Sequence, residues 1–482
     1  MSRVQTDTDV VVIGAGACGL AAAVTLAESG AKVIIFEKQR AMGGSSNFFA
    51  GMFAAESDMQ RAQFIDYTRD KAFKNIMEYS HWRANPRIVR AFVNESAASI
   101  AWLINHGVEF REVMINMPDA PRTYHVVKGK GEALVKAIAT RAKEKGVDIR
   151  LATPVKRILK EGNRITGVIV EQDGEDKQVT AKAVIIATGG YANNKEWQKK
   201  YAGFDLGVNL IAHGNVDKVG DGIRMAWEAG AAEDGLGVQE LIRSGPMGPE
   251  FSFWGEVRML TNQPDLWVNP RGERFCDERI AYYDTSHGNA NARFKEGYTF
   301  SIFDDGVIKR LMEYGLEKNA GMDNLPGTRP ANLDKVLKDE LEKGTSEIFE
   351  ANSIEELAKK LKMNPAVLKA TVDEYNRFCE KGHDDLFAKE PRYLRPIRGP
   401  KFYAIRVRTV TLGTLGGIKI NDKMEVVDKK DEVIPGLYAG GEDAAGMWGD
   451  SYPIDIASGG SSAFAVTSGR IAAKNALGYI AK

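Results

Sequence analysis

The sequence predicts an α/β fold in which a domain built on a parallel sheet carries an inserted second domain. Residues 9–13, DVVVI, form a short apolar run that is typical of a buried strand. LAAAVTLAESG, residues 20–30, follows with helical spacing and ends on a glycine, a common helix stop. KVIIFEK, residues 32–38, is a second buried-strand pattern. Strand, helix and strand within 38 residues indicate a βαβ unit and therefore a parallel sheet.

A change in residue composition and in the pattern of predicted elements marks the inserted domain. Aromatic residues and polar loops begin near residue 235, and charged helices such as ANLDKVLKDELEKG, residues 331–344, follow. Strand patterns return with KFYAIRVRTV, residues 401–410, and a last helix is predicted from about 460 to 477. We therefore expect a discontinuous first domain, residues 1–234 and 376–482, and an inserted α+β domain, residues 235–375.

Composition and charge exclude several classes of protein. Lys+Arg and Asp+Glu both number 65 among 482 residues, which gives no support for a nucleic-acid partner. No run of about 18 apolar residues occurs, so we expect no membrane span. The start of the chain lacks the pattern of a secretion signal, and three dispersed cysteines predict neither a disulfide framework nor a metal site. We expect a cytoplasmic protein.

The strongest motif is GAGACG, residues 14–19, at the turn between the first strand and the first helix. In such a GxGxxG turn, Gly14 permits the tight bend, Gly16 lets the backbone approach a pyrophosphate, and Gly19 lets the helix pack closely on the strand. Glu37 ends the second strand, where an acid accepts hydrogen bonds from a ribose. The combination predicts a Rossmann-like dinucleotide-binding domain.

Three further glycine-rich segments suggest which dinucleotide binds. KQRAMGGSSNFFAGMFAA, residues 38–55, follows the acid and is placed to run along a pyrophosphate and a ribityl chain. AVIIATGGY, residues 183–191, and IPGLYAGGEDAAG, residues 434–446, are two more strands that end in glycines. Within the last of them, Glu442 is placed to bind ribityl hydroxyls.

Together with GDGIRMAWEAGA, residues 220–231, these segments resemble the fumarate reductase and succinate dehydrogenase flavoprotein family over nearly the whole chain. The resemblance implies FAD, a Rossmann-like (GR2-type) FAD-binding domain and a mobile capping domain. Residues 39–55 contain no His to which FAD could attach as in membrane-bound members, so we expect non-covalent FAD. The expected cofactor-binding residues are Gly14, Gly16, Ala17, Gly19, Glu37, Lys38, Gly43, Gly44, Ser45, Ser46, Gly51, Val155, Ala187, Thr188, Gly189, Asp221, Gly441, Glu442, Gly460, Ser461 and Ser462.

The substrate-side residues depart from the fumarate-type pattern. Members of that type resemble one another in a His before a TxGG segment, an Arg proton donor in the cap, and an Arg before the last helix that clamps a carboxylate. The matching positions here are Gly413, Tyr282 and Tyr452. A phenol cannot replace the bidentate pairing of Arg with a carboxylate, so a dicarboxylate is disfavoured and an uncharged carbonyl compound is expected.

A closer resemblance is to the ketosteroid dehydrogenase branch, which presents a Tyr and a Ser near the last helix. It implies that Tyr452 and Ser458 bind or polarise a carbonyl and that Tyr282 is the acid or base. Tyr283 competes with Tyr282, because a one-residue slip is easily made, and Arg279 is a candidate for proton delivery. Hydride would move between flavin N5 and the carbon β to the carbonyl.

Three functions stay open at this point. The first is reduction or introduction of a C=C bond beside a carbonyl, in an enone or 3-ketosteroid-like substrate. The second is reduction of an unsaturated monocarboxylate, with Arg279 or an arginine from 406–408 as the anion partner. The third is a flavoprotein that passes electrons to a protein partner, against which the lack of haem or iron–sulfur ligand patterns weighs. The expected partner is a small-molecule substrate, with an electron donor or acceptor that the sequence does not assign.

Overall fold

The computed structural model describes residues 7–214, 217–252, 255–318 and 324–482. The strands are β1 (Thr8–Ile13), β2 (Val33–Phe36), β3 (Gly51–Phe53), β4 (Phe110–Met114), β5 (Tyr124–Val127), β6 (Asp148–Arg150), β7 (Val155–Glu161), β8 (Arg164–Gln172), β9 (Glu175–Ile186), β10 (Leu210–Ala212), β11 (Glu233–Asp234), β12 (Gln239–Gly245), β13 (Leu266–Val268), β14 (Thr299–Asp304), β15 (Ile348–Ala351), β16 (Phe402–Thr414), β17 (Gly417–Ile418), β18 (Glu425–Val427) and β19 (Val433–Ala439).

The helices are α1 (Ala17–Glu28), α2 (Asp58–Ala62), α3 (Arg69–Tyr79), α4 (Pro86–Asn105), α5 (Lys130–Glu144), α6 (Lys195–Trp197), α7 (Asp221–Glu228), α8 (Glu256–Thr261), α9 (Asp284–Ala292), α10 (Asp305–Tyr314), α11 (Leu333–Glu342), α12 (Ile354–Lys360), α13 (Pro365–Lys381) and α14 (Gly460–Ile480). Within the described ranges, every helix is too short or too polar to cross a lipid bilayer.

The chain divides into two compact units, each of which is discontinuous in sequence. Unit 1 comprises Met1–Gly203, Gly214–Glu240 and Leu412–Lys482. Unit 2 comprises Phe204–His213 and Leu241–Thr411. An inserted unit is therefore present, as the sequence predicts, but the return to unit 1 comes at residue 412 and not at 376.

Ion pairs and strand pairing explain the later boundary. Arg274 pairs with both Glu278 and Asp384 at 2.8 Å, and Lys389 pairs with Glu278 at 3.1 Å, all with buried side chains. These buried charges tie the segment after α13 to the centre of unit 2. Strand β16 then pairs antiparallel with β14 and β15, so residues 402–411 complete the sheet of unit 2. The predicted boundary at 376 falls inside α13, which packs into the same core.

Unit 1 is built on an eight-stranded sheet. Its main order is β18–β19–β9–β1–β2–β6, and β8 pairs with β9 and β7. The pairs of β1 with β2 and β9, of β9 with β19, and of β2 with β6 are parallel. Residues Val10–Ile13 are all buried, as expected for a parallel strand covered on both faces. The predicted βαβ unit is thus confirmed as β1–α1–β2.

Close contacts at glycines fix the helices that cover this sheet. A Cβ at Gly19 would lie 2.0 Å from the carbonyl oxygen of Gly14, so α1 approaches the β1 turn more closely than any side chain permits. A Cβ at Gly469 of α14 would lie 2.3 Å from the carbonyl oxygen of Cys18, so α14 crosses α1 backbone to backbone. Both contacts require glycine, because a Cβ atom at either position would overlap a backbone oxygen.

Asp443 joins the ends of β9 and β19. Its buried carboxylate accepts hydrogen bonds from the backbone N–H groups of Thr188, Gly189 and Gly190 at 2.5–3.0 Å. It also accepts the Thr188 hydroxyl at 3.0 Å. One carboxylate therefore organises two glycine-rich turns that lie about 250 residues apart in the chain.

Unit 2 is a six-stranded sheet with helices around it. The order β10–β16–β14–β13 is extended by β12 and β15, which also pair with β16. Two apolar clusters form its core, one that includes Phe303, Leu311 and Ile405, the other centred on Phe300 and Leu357. This mixed arrangement agrees with the predicted α+β character of the inserted domain.

We predict that Gly19→Ala destabilises unit 1 by about 1–3 kcal/mol, because the added methyl group overlaps the Gly14 carbonyl. Chemical denaturation and the absorbance ratio of bound cofactor to protein measure the effect. Gly478→Ala in α14 is the matched control, since nothing lies within 4 Å of its Cβ position. The control should be neutral or stabilising by up to about 1 kcal/mol. Equal stability of the two variants would contradict the packing described.

We predict that Asp443→Ala lowers the free energy of unfolding by about 3 kcal/mol, because three backbone N–H groups lose a charged acceptor. The glycine-rich turn after β9 should also lose order, which hydrogen exchange of Gly189 and Gly190 measures. Asp176→Ala, an exposed carboxylate on β9, is the control and should leave both readouts unchanged. Normal exchange protection in Asp443→Ala would show that the turn holds itself.

Candidate functional site

A cavity of about 430 Å³ lies in unit 1 at the carboxyl ends of β1, β2, β9 and β19. In open parallel sheets this edge is where ligands bind. The predicted residues that line the cavity are Gly14, Gly16, Ala17, Glu37, Lys38, Gly43, Gly44, Ser45, Ser46, Val155, Ala187, Thr188, Gly189, Asp221, Gly441 and Glu442. Six segments of the chain therefore converge on one site.

The first glycine turn has the conformation that its sequence requires. Gly14 has φ of +105°, and a Cβ there would lie 2.3 Å from the carbonyl oxygen of Ala187. Gly16 is the N-cap of α1, and the Ala17 N–H donates to the Ser46 hydroxyl at 3.0 Å. Backbone groups and the positive end of the helix dipole thus face the cavity, as an anionic pyrophosphate needs.

Charged side chains border the same cavity. Glu37 accepts hydrogen bonds from the backbone N–H groups of Ala15 and Gln39, both at 2.8 Å, which fix its carboxylate beside the glycine turn. Lys38 pairs with Asp221 at 2.7 Å. That pair connects the end of β2 with the first residue of α7. Each carboxylate oxygen keeps a lone pair that a ribose hydroxyl can use.

The cavity fits an FAD group on its own chemistry. Among the described residues, the buried hydroxyl of Ser45 has no hydrogen-bond partner, although it borders the cavity. A buried hydroxyl without a partner is costly, and a bound phosphate or ribityl group would satisfy it. The glycine turns, the helix N-terminus and the acid after β2 supply the remaining features of a dinucleotide site.

Five predicted cofactor residues lie outside the cavity wall. Gly19 serves helix packing, as described above. Gly51 accepts a hydrogen bond from the Ser462 hydroxyl at 2.7 Å, and a Cβ at Gly460 would lie 2.7 Å from the ring of Trp448. The Ser461 N–H donates to the hydroxyl oxygen of Tyr452 at 3.1 Å. The start of α14 is therefore a tightly bonded junction, and direct cofactor contact by its residues stays a prediction.

A buried lysine that the sequence analysis did not identify lies at one end of the cavity. Lys218 is 4% exposed and donates to Glu442 at 2.8 Å and to the carbonyl oxygen of Leu412 at 3.0 Å. The Glu442 side chain is 17% exposed, and desolvation raises its pKa despite the neighbouring ammonium group. A Cβ at Gly413 would lie 2.5 Å from the Glu442 carboxylate. The position that resembles a family histidine thus has no room for a side chain.

A second unforeseen residue, Glu240, lies beside the predicted Tyr452. Both side chains are buried, at 4% and 1% exposure. They are hydrogen-bonded to each other, and Glu240 is also bonded to the Ser461 side chain. Burial, followed by the charge of Glu442, raises the pKa of Glu240 to about 8. Burial and the neighbouring Glu240 raise the pKa of Tyr452 well above its usual value.

Ser458, which is predicted to bind a carbonyl, is hydrogen-bonded within the turn before α14. Its hydroxyl donates to the carbonyl oxygen of Ile454 at 2.6 Å and accepts from the side-chain amide of Asn116 at 3.2 Å. The proton that would polarise a carbonyl is therefore engaged in the turn before α14. A substrate-binding role for Ser458 would require this hydrogen bond to break.

The remaining predicted residues lie in unit 2. Tyr282 packs against Tyr393 with ring centroids 5.7 Å apart, and burial together with the hydrogen bond to Tyr393 raises its pKa. The Arg279 guanidinium pairs with Glu390 at 2.8 Å and donates to the Tyr283 hydroxyl at 3.2 Å. Tyr283 therefore has a cation beside its hydroxyl, whereas Tyr282 has a second phenol, and both stay candidates for the proton carrier.

Comparison with known proteins identifies the family. Residues 9–453 match the model of a family described as FAD binding domain. The chain is 35% identical over 480 residues to vinyl phenol reductase of Lactiplantibacillus plantarum, covering 98% of this chain and 96% of that protein. It is 30% identical over 484 residues to fumarate reductase (cytochrome) of Shewanella frigidimarina, covering 98% and 78%.

The fold also matches that of a solved dehydrogenase. The structure of 3-ketosteroid Δ1-dehydrogenase from Sterolibacterium denitrificans superposes with a TM-score of 0.79 at 20% identity, covering 98% of this chain and 99% of that one. The predicted architecture and the FAD cofactor are confirmed by these matches. The chain belongs to the FAD binding domain family, among the flavoproteins related to fumarate reductase, and is an FAD-dependent oxidoreductase.

Proposed function

We propose that the protein reduces a carbon–carbon double bond conjugated to an uncharged, oxygen-bearing group. The observation that carries this proposal is the buried Tyr452–Glu240 pair next to the start of α14. A phenol and a protonated carboxyl group donate hydrogen bonds without adding positive charge, so they suit a neutral oxygen better than a carboxylate. Bound FAD would supply the hydride and its two electrons.

The polar groups of unit 1 define how the substrate oxygen would be treated. As hydride reaches the β carbon of an enone, negative charge develops on the carbonyl oxygen. The Tyr452 hydroxyl can donate to that oxygen, while the Ser461 N–H donates to the phenol oxygen at 3.1 Å and holds it in place. The N-terminal end of α14 adds a favourable dipole for this charge.

Two substrate classes satisfy this description. An enone is the first, because its oxygen gains negative charge directly. A vinyl phenol is the second, favoured by the 35% identity to vinyl phenol reductase over nearly the full length of both chains. In a vinyl phenol the phenolic oxygen must lose a proton when the vinyl carbon gains one. A hydrogen-bonded phenol and carboxyl pair can also exchange a proton with the phenolic oxygen of such a substrate.

The charges in the site weigh against an unsaturated monocarboxylate. Residues 411–462 contain no Arg or His, and the cavity end already holds the Glu442 carboxylate. The arginines considered as anion partners are engaged within unit 2. Arg408 pairs with Glu347, and Arg406 lies over the ring of Tyr298 at 5.0 Å. A carboxylate substrate would have to displace such pairs, which costs several kcal/mol.

The proton that reaches carbon is proposed to come from Tyr282 or its neighbour Tyr283. An electron donor must reload the cofactor after each turnover. A protein that only passes electrons would need no buried acid beside Tyr452, and for that reason the carrier function is less well supported.

We predict that the reduced enzyme, prepared anaerobically, is reoxidised by 2-cyclohexen-1-one or 4-vinylphenol at least about tenfold faster than by fumarate, a difference of about 1.4 kcal/mol in barrier. Stopped-flow absorbance of the flavin measures the rates. Tyr452→Phe should retain FAD and lose about 10²-fold in rate, because one donor to the substrate oxygen is gone. Tyr314→Phe, an exposed tyrosine, is the control.

Reoxidation by fumarate but by neither uncharged alkene would contradict the proposed function. Reoxidation by urocanate alone would favour the monocarboxylate reductase. If no small alkene reoxidises the flavin and a protein acceptor does, the electron-carrier function replaces both.

A further inference from the structure

Glu240 is a buried ionisable residue without an assigned role. It lies at the second position of β12, a strand whose residues are all buried, and is itself 4% exposed. Its carboxyl group is hydrogen-bonded to the side chains of Tyr452 and Ser461. The charged groups that face it are Glu442 and Lys218, which pair with each other at 2.8 Å and line the FAD cavity. A buried acid in this position needs a reason, because burying a carboxyl group is costly.

The hydrogen bonds around Tyr452 determine where protons can move. The phenol oxygen accepts the Ser461 N–H at 3.1 Å, so the phenol proton is left to point towards Glu240 or towards a ligand. When that proton points towards a ligand, the phenol oxygen can accept a proton from a protonated carboxyl group behind it. The two side chains thus form a chain of two exchangeable protons in a buried environment.

The electrostatic surroundings keep the carboxyl group protonated near neutral pH. Burial raises the pKa of Glu240 to about 8, and the charge of Glu442 acts in the same direction. The ammonium group of Lys218 opposes this shift, but it is already paired with Glu442. A neutral acid also avoids placing a second carboxylate next to Glu442.

We propose that Glu240 is a positioning residue that stores a proton for Tyr452 and converts the tyrosine from a hydrogen-bond donor into a proton relay. This inference rests on the proposed function. When hydride has reached the β carbon, the Tyr452 proton passes to the substrate oxygen and the Glu240 proton passes to the Tyr452 oxygen. The O–H bond of Glu240 breaks, the O–H bond of the enol forms, and Glu240 is left as a carboxylate at this stage. When a proton then reaches the α carbon, the enol O–H bond breaks and its proton returns through Tyr452 to Glu240, which leaves the saturated ketone and a protonated Glu240.

The relay predicts a pH dependence that a purely structural acid would not give. The protonated form of Glu240 is the active one, so the rate of flavin reoxidation by an uncharged alkene should be high at low pH. It should fall as the pH rises through about 8. Without the relay, the rate should be governed by groups other than Glu240 and should not follow this titration.

The test compares Glu240→Gln with the wild-type enzyme, using 2-cyclohexen-1-one as the probe between about pH 6 and 10. We expect Glu240→Gln to retain FAD, to lose about 10²-fold in rate at neutral pH and to lose the titration near pH 8. Glu240→Asp retains a carboxyl group and should keep a titration with a shifted midpoint. Glu233→Gln, an exposed glutamate on β11, is the matched control and should behave as wild type.

The outcomes separate this inference from the proposed function. A Glu240→Gln enzyme with the wild-type rate and the wild-type pH profile overturns the relay while the proposed function stands. A wild-type enzyme that no uncharged alkene reoxidises overturns the proposed function, and the relay falls with it. If Glu240→Gln fails to bind FAD, the Glu240→Asp profile decides, because an unshifted midpoint contradicts titration at this residue.

Discussion

The bonds between Asp443 and the turn after β9 are the interaction on which the rest of unit 1 depends. Asp443 accepts three backbone N–H groups and the Thr188 hydroxyl, and Thr188 in turn accepts the N–H of Gly222 at 3.1 Å. Gly222 belongs to α7, whose first residue, Asp221, pairs with Lys38 at the end of β2. One buried carboxylate thus places three of the walls of the FAD cavity. Hydrogen bonds to a charged acceptor contribute about 1.5–3 kcal/mol each, which is enough to hold glycine-rich turns that have little conformational preference of their own.

The second constraint is the balance of charge around Glu240 and Tyr452, next to the Lys218–Glu442 pair that lines the cavity. Glu240, Lys218 and Tyr452 are buried, Glu442 is partly buried, and the only ion pair among these four residues is Lys218 with Glu442. Glu240 is hydrogen-bonded to Tyr452 and forms no ion pair within this group, and its neutral form is the stable one near neutral pH. Such a group of residues offers hydrogen-bond donors but no net positive charge. It therefore favours a substrate oxygen that becomes negative during the reaction over one that is negative from the start.

Most of the predicted cofactor residues line the cavity, and the sequence signals that identify them are local. The period of the apolar residues in 9–13 and 32–38 and the glycine spacing in 14–19 reflect contacts within one βαβ unit. Lys218 and Glu240 could not be found in this way. Each is an ordinary charged residue in its own segment, and only the fold brings it to Glu442 or Tyr452 from a distant part of the chain.

Two features of the structure, the later boundary of unit 2 and the local hydrogen bond of Ser458, arise from interactions that sequence patterns do not show. Sequence patterns place the segment after α13 in the first domain. In the structure, Asp384 pairs with Arg274 and Lys389 pairs with Glu278, both within unit 2. Ser458 is suited by type to donate to a carbonyl, but its proton is used in a local turn. Long-range ion pairs and local side-chain to backbone bonds are both invisible to pattern and spacing.

The most direct test of the central claim is to measure the carboxyl bands of Glu240 by infrared difference spectroscopy. The spectra of the wild-type protein and of Glu240→Gln, both with isotope-labelled glutamate, are compared at neutral pH. The claim that the substrate oxygen meets a neutral, proton-donating pair predicts a protonated carboxyl C=O band that belongs to Glu240 and shifts with the label. A spectrum in which Glu240 contributes only carboxylate bands would contradict it, because the acid would then be a fixed negative charge beside Tyr452.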